Sequence, residues 1–132
     1  MNRLDFQKLA EARLLDAKAL FGAGRFDAAH YLAGYVVECA LKACISKLTR
    51  EHDFPPKDTR VLYQHDLESL VKVSGIAELF LEDGYWEVVK EWKPGAIRYE
   101  LQSASAEVAT KTMLAAIDDG EHGVLRCLSK YW

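Results

Sequence analysis

Arginine followed by histidine after four intervening residues occurs twice in the chain, as Arg25-Phe26-Asp27-Ala28-Ala29-His30 and as Arg60-Val61-Leu62-Tyr63-Gln64-His65. Such a pair suits metal-independent cleavage of RNA. A guanidinium can grip the scissile phosphate, and an imidazole can move the proton of the 2′-hydroxyl or of the leaving oxygen. Each pair also has a plain structural use. Arg25 and His30 can be a helix-start arginine and a packed histidine. Arg60 and His65 can be a loop arginine and a histidine that holds the start of the next helix. Five positions of α-helix turn through about 500°, which leaves the two side chains about 140° apart. Arg25 and His30 could therefore share a phosphate only if Arg25 precedes the first turn or a second copy supplies one of them. Arg60 and His65 escape that objection in a loop, but a loop lacks the preorganisation that phosphoryl transfer needs.

Two further groups stand out, one for binding and one for structure. Trp92, Lys93, Arg98 and Tyr99 interleave rings with cations, as a surface that stacks nucleobases would. Helix packing or a dimer surface is the other use of such rings. Glu38 and Lys42 stand four apart in GYVVECALK, an otherwise apolar run. A carboxylate there needs a partner, since an unpaired one would cost several kcal/mol. Lys42, Arg98 or a tyrosine hydroxyl could supply it. The four histidines form no HxxxH, and Cys39 and Cys44, five apart, point to different faces, so the sequence offers no metal site. It offers no cofactor motif either. Gly22-Ala23-Gly24 lacks the preceding strand and third glycine of a phosphate loop and reads as a helix stop.

The elements that would position these residues are all helical. Leu4, Leu9, Leu14, Leu15, Ala19 and Leu20 follow a 3.6-residue period, predicting a helix over 4–21. Residues 26–48 predict a second helix, apolar nearly all round and so packed on several sides. Pro55 and Pro56 make 49–64 a loop. Short helices follow over 66–73, 76–80 and 85–92, with Pro94-Gly95 breaking the last. A longer helix is expected over 103–117, and a final one over 121–131. No strand alternation or repeat is present, which gives an all-α, up-and-down bundle of four to five helices with short extra ones.

The chain has 132 residues, half of them hydrophobic and 28% charged, with a net charge of −3. That is one globular domain, 1–132, and it argues against a broad basic surface for duplex nucleic acid. Three cysteines are too few for a disulfide framework, and no signal peptide or membrane-spanning run is evident, so the cytoplasm is expected.

The stretch RFDAAHYLAGYVVECALKACI, then FPPK at 54–57 and HDL at 65–67, resembles the HEPN (higher eukaryotes and prokaryotes nucleotide-binding) domain family. EWKPGAIRYE and the terminal GVLRCLSKYW are similar to the same family. The resemblance implies a helical bundle that forms a homodimer. It also implies pairing with a small nucleotidyltransferase protein in a toxin–antitoxin module, and in many members ribonuclease activity. The nuclease members carry their Arg-to-His pair on a later helix, and here no such pair follows residue 76. The expectation is thus a non-catalytic or weakly active dimer binding a nucleotide, RNA or that partner. The alternative is a metal-independent endoribonuclease toxin.

Overall fold

A computed structural model gives the fold and describes residues 1–51, 64–97 and 106–132. Helix α1 spans Arg3–Gly22. Asn2 caps it by accepting from the Asp5 amide at 2.9 Å, and the Asp5 carboxylate accepts from the Asn2 amide at 3.0 Å. This reciprocal box satisfies two amide donors, one of which the helix start would otherwise leave unpaired. At the other end Gly24 takes φ +76°, the left-handed conformation that closes a helix and that glycine adopts without a side-chain clash.

Helix α2, Phe26–Glu51, is the axis of the molecule and contacts α1 along most of its length. Ala10, Leu14 and Ala17 of α1 face it, and the two alanines let the backbones approach closely. Ala29, Ala33, Val36, Val37, Ala40 and Leu41 of α2 are fully buried, because other helices cover its remaining sides. Those are α3 (Leu67–Val73), a short α5 (Pro94–Ile97), α6 (Ala106–Asp118) and α7 (Val124–Leu128). A 3₁₀ turn, Ala77–Phe80, and α4, Gly84–Val89, complete the described elements; α4 packs on α6 and α7, and Phe80 of the turn stacks on Trp86 of α4. No strand occurs among the described residues, and none of their helices is long and apolar enough to cross a membrane.

Four boundaries depart from the sequence expectation. Helix α2 runs on to Glu51, past the expected end at 48 and into the stretch expected as loop. Helix α4 stops at Val89, and Pro94 begins a short helix instead of breaking one. Proline suits a first helical position, where its missing N–H has no helical partner to lose. The last helix covers only Val124–Leu128, not 121–131. Gly120 turns the chain with φ +49°, and Gly123 then passes so close to α6 that a Cβ would stand 2.5 Å from the Ile117 carbonyl oxygen. Helix cannot begin before that crossing. The cap expected at Ser103 lies outside the described residues.

An ionic cluster at the end of α6 ties three helices. Asp118 Oδ1 accepts from Arg126 Nε at 2.8 Å and Nη2 at 2.5 Å, Asp118 Oδ2 accepts from Lys18, and Arg126 Nη1 reaches Glu11 at 3.4 Å. Burial raises the Asp118 pKa, but the hydrogen bonds from Lys18 and Arg126 outweigh it and hold the carboxyl below its usual range. A carboxyl depressed on folding stabilises fully above its unfolded pKa, about 3.9, and that stabilisation fades as pH falls through the folded value. Asp118→Asn should therefore cost about 1–2 kcal/mol at neutral pH. Denaturant unfolding across pH should show the wild-type advantage constant from pH 7 to about 5 and shrinking below about 4.

Candidate functional site

Tyr31, Tyr35, Glu38 and Lys42 recur at i, i+4, i+7 and i+11 on α2. This spacing keeps them within about 40° of one line along the helix. They form a polar stripe on a helix that is otherwise apolar from Ala28 to Ile45, His30 aside. The Tyr31 and Tyr35 hydroxyls are 3.2 Å apart. The Tyr35 ring meets Trp92 edge-on at 4.9 Å and His65 at 6.0 Å. Next along the stripe, the Glu38 side chain is 4% exposed. Its Oε1 accepts from His65 Nδ1 and lies 3.5 Å from Lys42 Nζ, itself on a side chain 9% exposed.

An ionised carboxylate only accepts, so His65 donates from Nδ1. Over half of its side chain remains exposed, and one side of the ring is committed to the core. A groove of about 340 Å³ between α1 and α2 reaches this cluster, with Phe6 and Leu9 on its apolar wall and Arg13, Glu38 and Lys42 at its polar end.

The sequence candidates separate as follows. His65 does not cap α3. Asp66 does, accepting from the Glu68 amide at 3.2 Å and from Ser69 Oγ at 2.9 Å. His65 instead ties the residue ahead of α3 back to the middle of α2. Arg60, its partner in the second Arg-to-His pair, lies outside the described residues, as do Arg98 and Tyr99. Arg25 stands just before α2 with its side chain exposed, and its carbonyl accepts the Ala29 amide at 3.0 Å. His30 is half-buried further along the helix. Lys93 is exposed, 4.0 Å from Asp66.

Trp92 does not offer a face for stacking. It is 2% exposed, its indole lies against the Gly34 backbone, and its Nε1 has no partner among the described residues. Trp86 is likewise buried at 6%, stacked on Phe80 at 5.1 Å. Both rings are core, so Trp92 takes the helix-packing use and is not a nucleobase platform. Among the described residues no three His, Cys, Asp or Glu side chains assemble into a metal centre. Burial pushes the Cys39 and Cys44 thiols up to about 11, which keeps them protonated and unreactive.

Sequence reasoning found Glu38 and Lys42 but missed His65 as the residue that engages Glu38. The two are 27 positions apart, and neither spacing nor composition signals such a contact.

A long buried helix with a single polar stripe, flanked by an N-terminal helix and shorter C-terminal ones, defines an all-α domain. The HEPN domain model matches residues 5–90, well over half of the chain, and the chain belongs to the HEPN domain family. The match takes in α1 to α4 and ends before α5, α6 and α7. No curated protein and no solved structure matches the chain significantly.

Proposed function

We infer that the chain is a non-catalytic HEPN domain that works as a homodimer and binds a nucleotide, RNA or a partner protein. The observation that carries this reading is the use made of His65. Its Nδ1 is bonded to Glu38 and one side of its ring packs on Tyr35, which ties α3 to α2 and leaves Nε2 as its one free nitrogen. A proton-transfer group built for cleavage needs a phosphate-gripping cation fixed beside it. The described cations next to His65 are Lys42, committed to the same carboxylate, and Lys93, exposed beside Asp66.

Surface composition supports the dimer. Leu4 and Leu15, 53% and 67% exposed, lie eleven residues apart on α1 and within about 20° of one line. The partner implied by the family is a small nucleotidyltransferase protein of a toxin–antitoxin module. The rival reading is a metal-independent endoribonuclease toxin acting through Arg25 and His30 or Arg60 and His65.

Light scattering at micromolar concentration tests the dimer and should return twice the 14.9 kDa chain mass. A single 14.9 kDa species throughout that range would overturn it. Fluorescence anisotropy with a labelled RNA oligonucleotide separates binding to RNA from binding to protein alone.

A further inference from the structure

The charge of the chain is not evenly spread. Residues 78–91, which take in most of the 3₁₀ turn and all of α4, hold five carboxylates and one lysine, a net charge of −4. The rest of the chain sums to +1. Lys90, the lysine of that stretch, is already paired with Glu87 at 2.7 Å, and Glu68 and Glu91 also stand near it. Glu78 and Glu82 are exposed and make no ion pair among the described residues. The Asp83 carboxylate accepts from the Tyr85 and Trp86 amides, and the Asp119 carboxylate, in the turn after α6, accepts from the Tyr85 hydroxyl. Neutral donors leave both of them charged.

Two leucines project from this acidic stretch. Leu79 and Leu81 are 45% and 73% exposed. Phe80 between them is buried and stacked on Trp86 at 5.1 Å, so neither neighbour can turn inward in its place. Leu79 also lines, with Val88 and with Ala115 of α6, an apolar trough that Asp83 borders. The leucines meet water and the carboxylates repel one another, so the arrangement costs the isolated fold and suits a partner that covers both. A nucleic acid would be repelled here. A cation without apolar groups would leave the leucines in water.

We propose that the 78–91 face docks a basic amphipathic segment of another protein. Its apolar side chains lie against Leu79, Leu81 and Val88, and its lysines or arginines face Glu78, Glu82 and Asp83. The surface gives the partner-protein branch of the reading above a place and a partner chemistry, and it rests on that branch alone.

Three peptides of one length test the assignment: an amphipathic helical peptide of leucine and lysine, its leucine–glutamate counterpart, and a serine–lysine peptide of the same charge as the first. Each is titrated into the full chain at physiological ionic strength and followed by amide chemical shifts. The leucine–lysine peptide should bind saturably, with the largest shifts at Leu79, Leu81, Glu82 and Val88. Leu81→Ser should weaken it about tenfold, and Glu78→Lys with Glu82→Lys by about as much. Glu82 takes φ +59°, the left-handed region that glycine enters without strain. Glu82→Gly should therefore leave the fold at least as stable in urea and still weaken binding, which separates docking from a structural role. The proposal is overturned by absence of saturable binding, by shifts centred elsewhere, or by equal affinity for the serine–lysine peptide. Affinity within twofold of wild type for Leu81→Ser or for the double charge reversal overturns it as well. Preference for the leucine–glutamate peptide overturns this surface but leaves a protein partner in place. Shifts at Leu79 and Leu81 that grow with the concentration of the chain alone make the face a contact between copies, and they too overturn it.

Discussion

Trp92→Ala should destabilise the fold by about 3–5 kcal/mol, the usual range for truncating a buried tryptophan. The ring is 2% exposed and makes an edge contact with Tyr35 of α2. What makes the effect diagnostic is its coupling to Gly34. A Cβ on Gly34 would stand 1.9 Å from the indole Cε2, and a rigid fused ring cannot swing aside as a lysine tip could. Gly34→Ala alone should cost about 1–3 kcal/mol from overpacking, despite alanine's better helix propensity. Once Trp92→Ala has emptied the space, the same substitution should become neutral or stabilise by up to about 1 kcal/mol. Urea unfolding of the four proteins in this cycle gives the coupling directly. Additive losses would show that the indole and the helix backbone do not share this contact.

Glu38→Ala should cost about 2–4 kcal/mol, because it leaves a buried Lys42 ammonium without its counter-charge and His65 without its acceptor. Glu38→Gln should cost less, about 1–2 kcal/mol, since its amide oxygen can still accept from His65 Nδ1. Replacing both charges, as Glu38→Leu with Lys42→Met, should recover most of the loss. A buried pair is expensive to break and cheap to exchange for apolar groups of similar volume. Chemical denaturation that finds Glu38→Ala within half a kcal/mol of wild type would mean that the carboxylate is solvated.

The helical framework was readable wherever local signals decide the outcome. The helical span of α1, the glycines that close it and the all-round apolar surface of α2 are each properties of a few neighbouring residues. The leucine stripe nevertheless misplaced the core face of α1: Leu4, Leu15 and Ala19 are exposed, and Ala10, Leu14 and Ala17 are buried. Glu38 stood out for the same reason, a carboxylate in the middle of GYVVECAL. Contacts between distant residues were not readable. His65 reaches Glu38 across 27 positions, and Arg126 reaches Glu11 across 115. The Trp92 region misled because rings alternating with lysines have the composition of a binding surface. What buries Trp92 is a glycine almost 60 residues earlier, on the face of α2 where any side chain would block it. The shortened α7 has a similar origin, since the close passage of Gly123 over Ile117 leaves no mark on hydrophobic periodicity.

These contacts together give His65 and the buried carboxylate a structural purpose, and the consequence for chemistry can be measured. Purified wild-type protein, His30→Ala and His65→Ala are incubated with total and synthetic RNA in EDTA, with circular dichroism as the check on folding. The account predicts that RNA stays intact with all three proteins and that His65→Ala lowers stability by about 1 kcal/mol through the lost Glu38 contact. Cleavage by the wild type that either substitution abolishes in a folded protein would contradict it and identify the catalytic histidine.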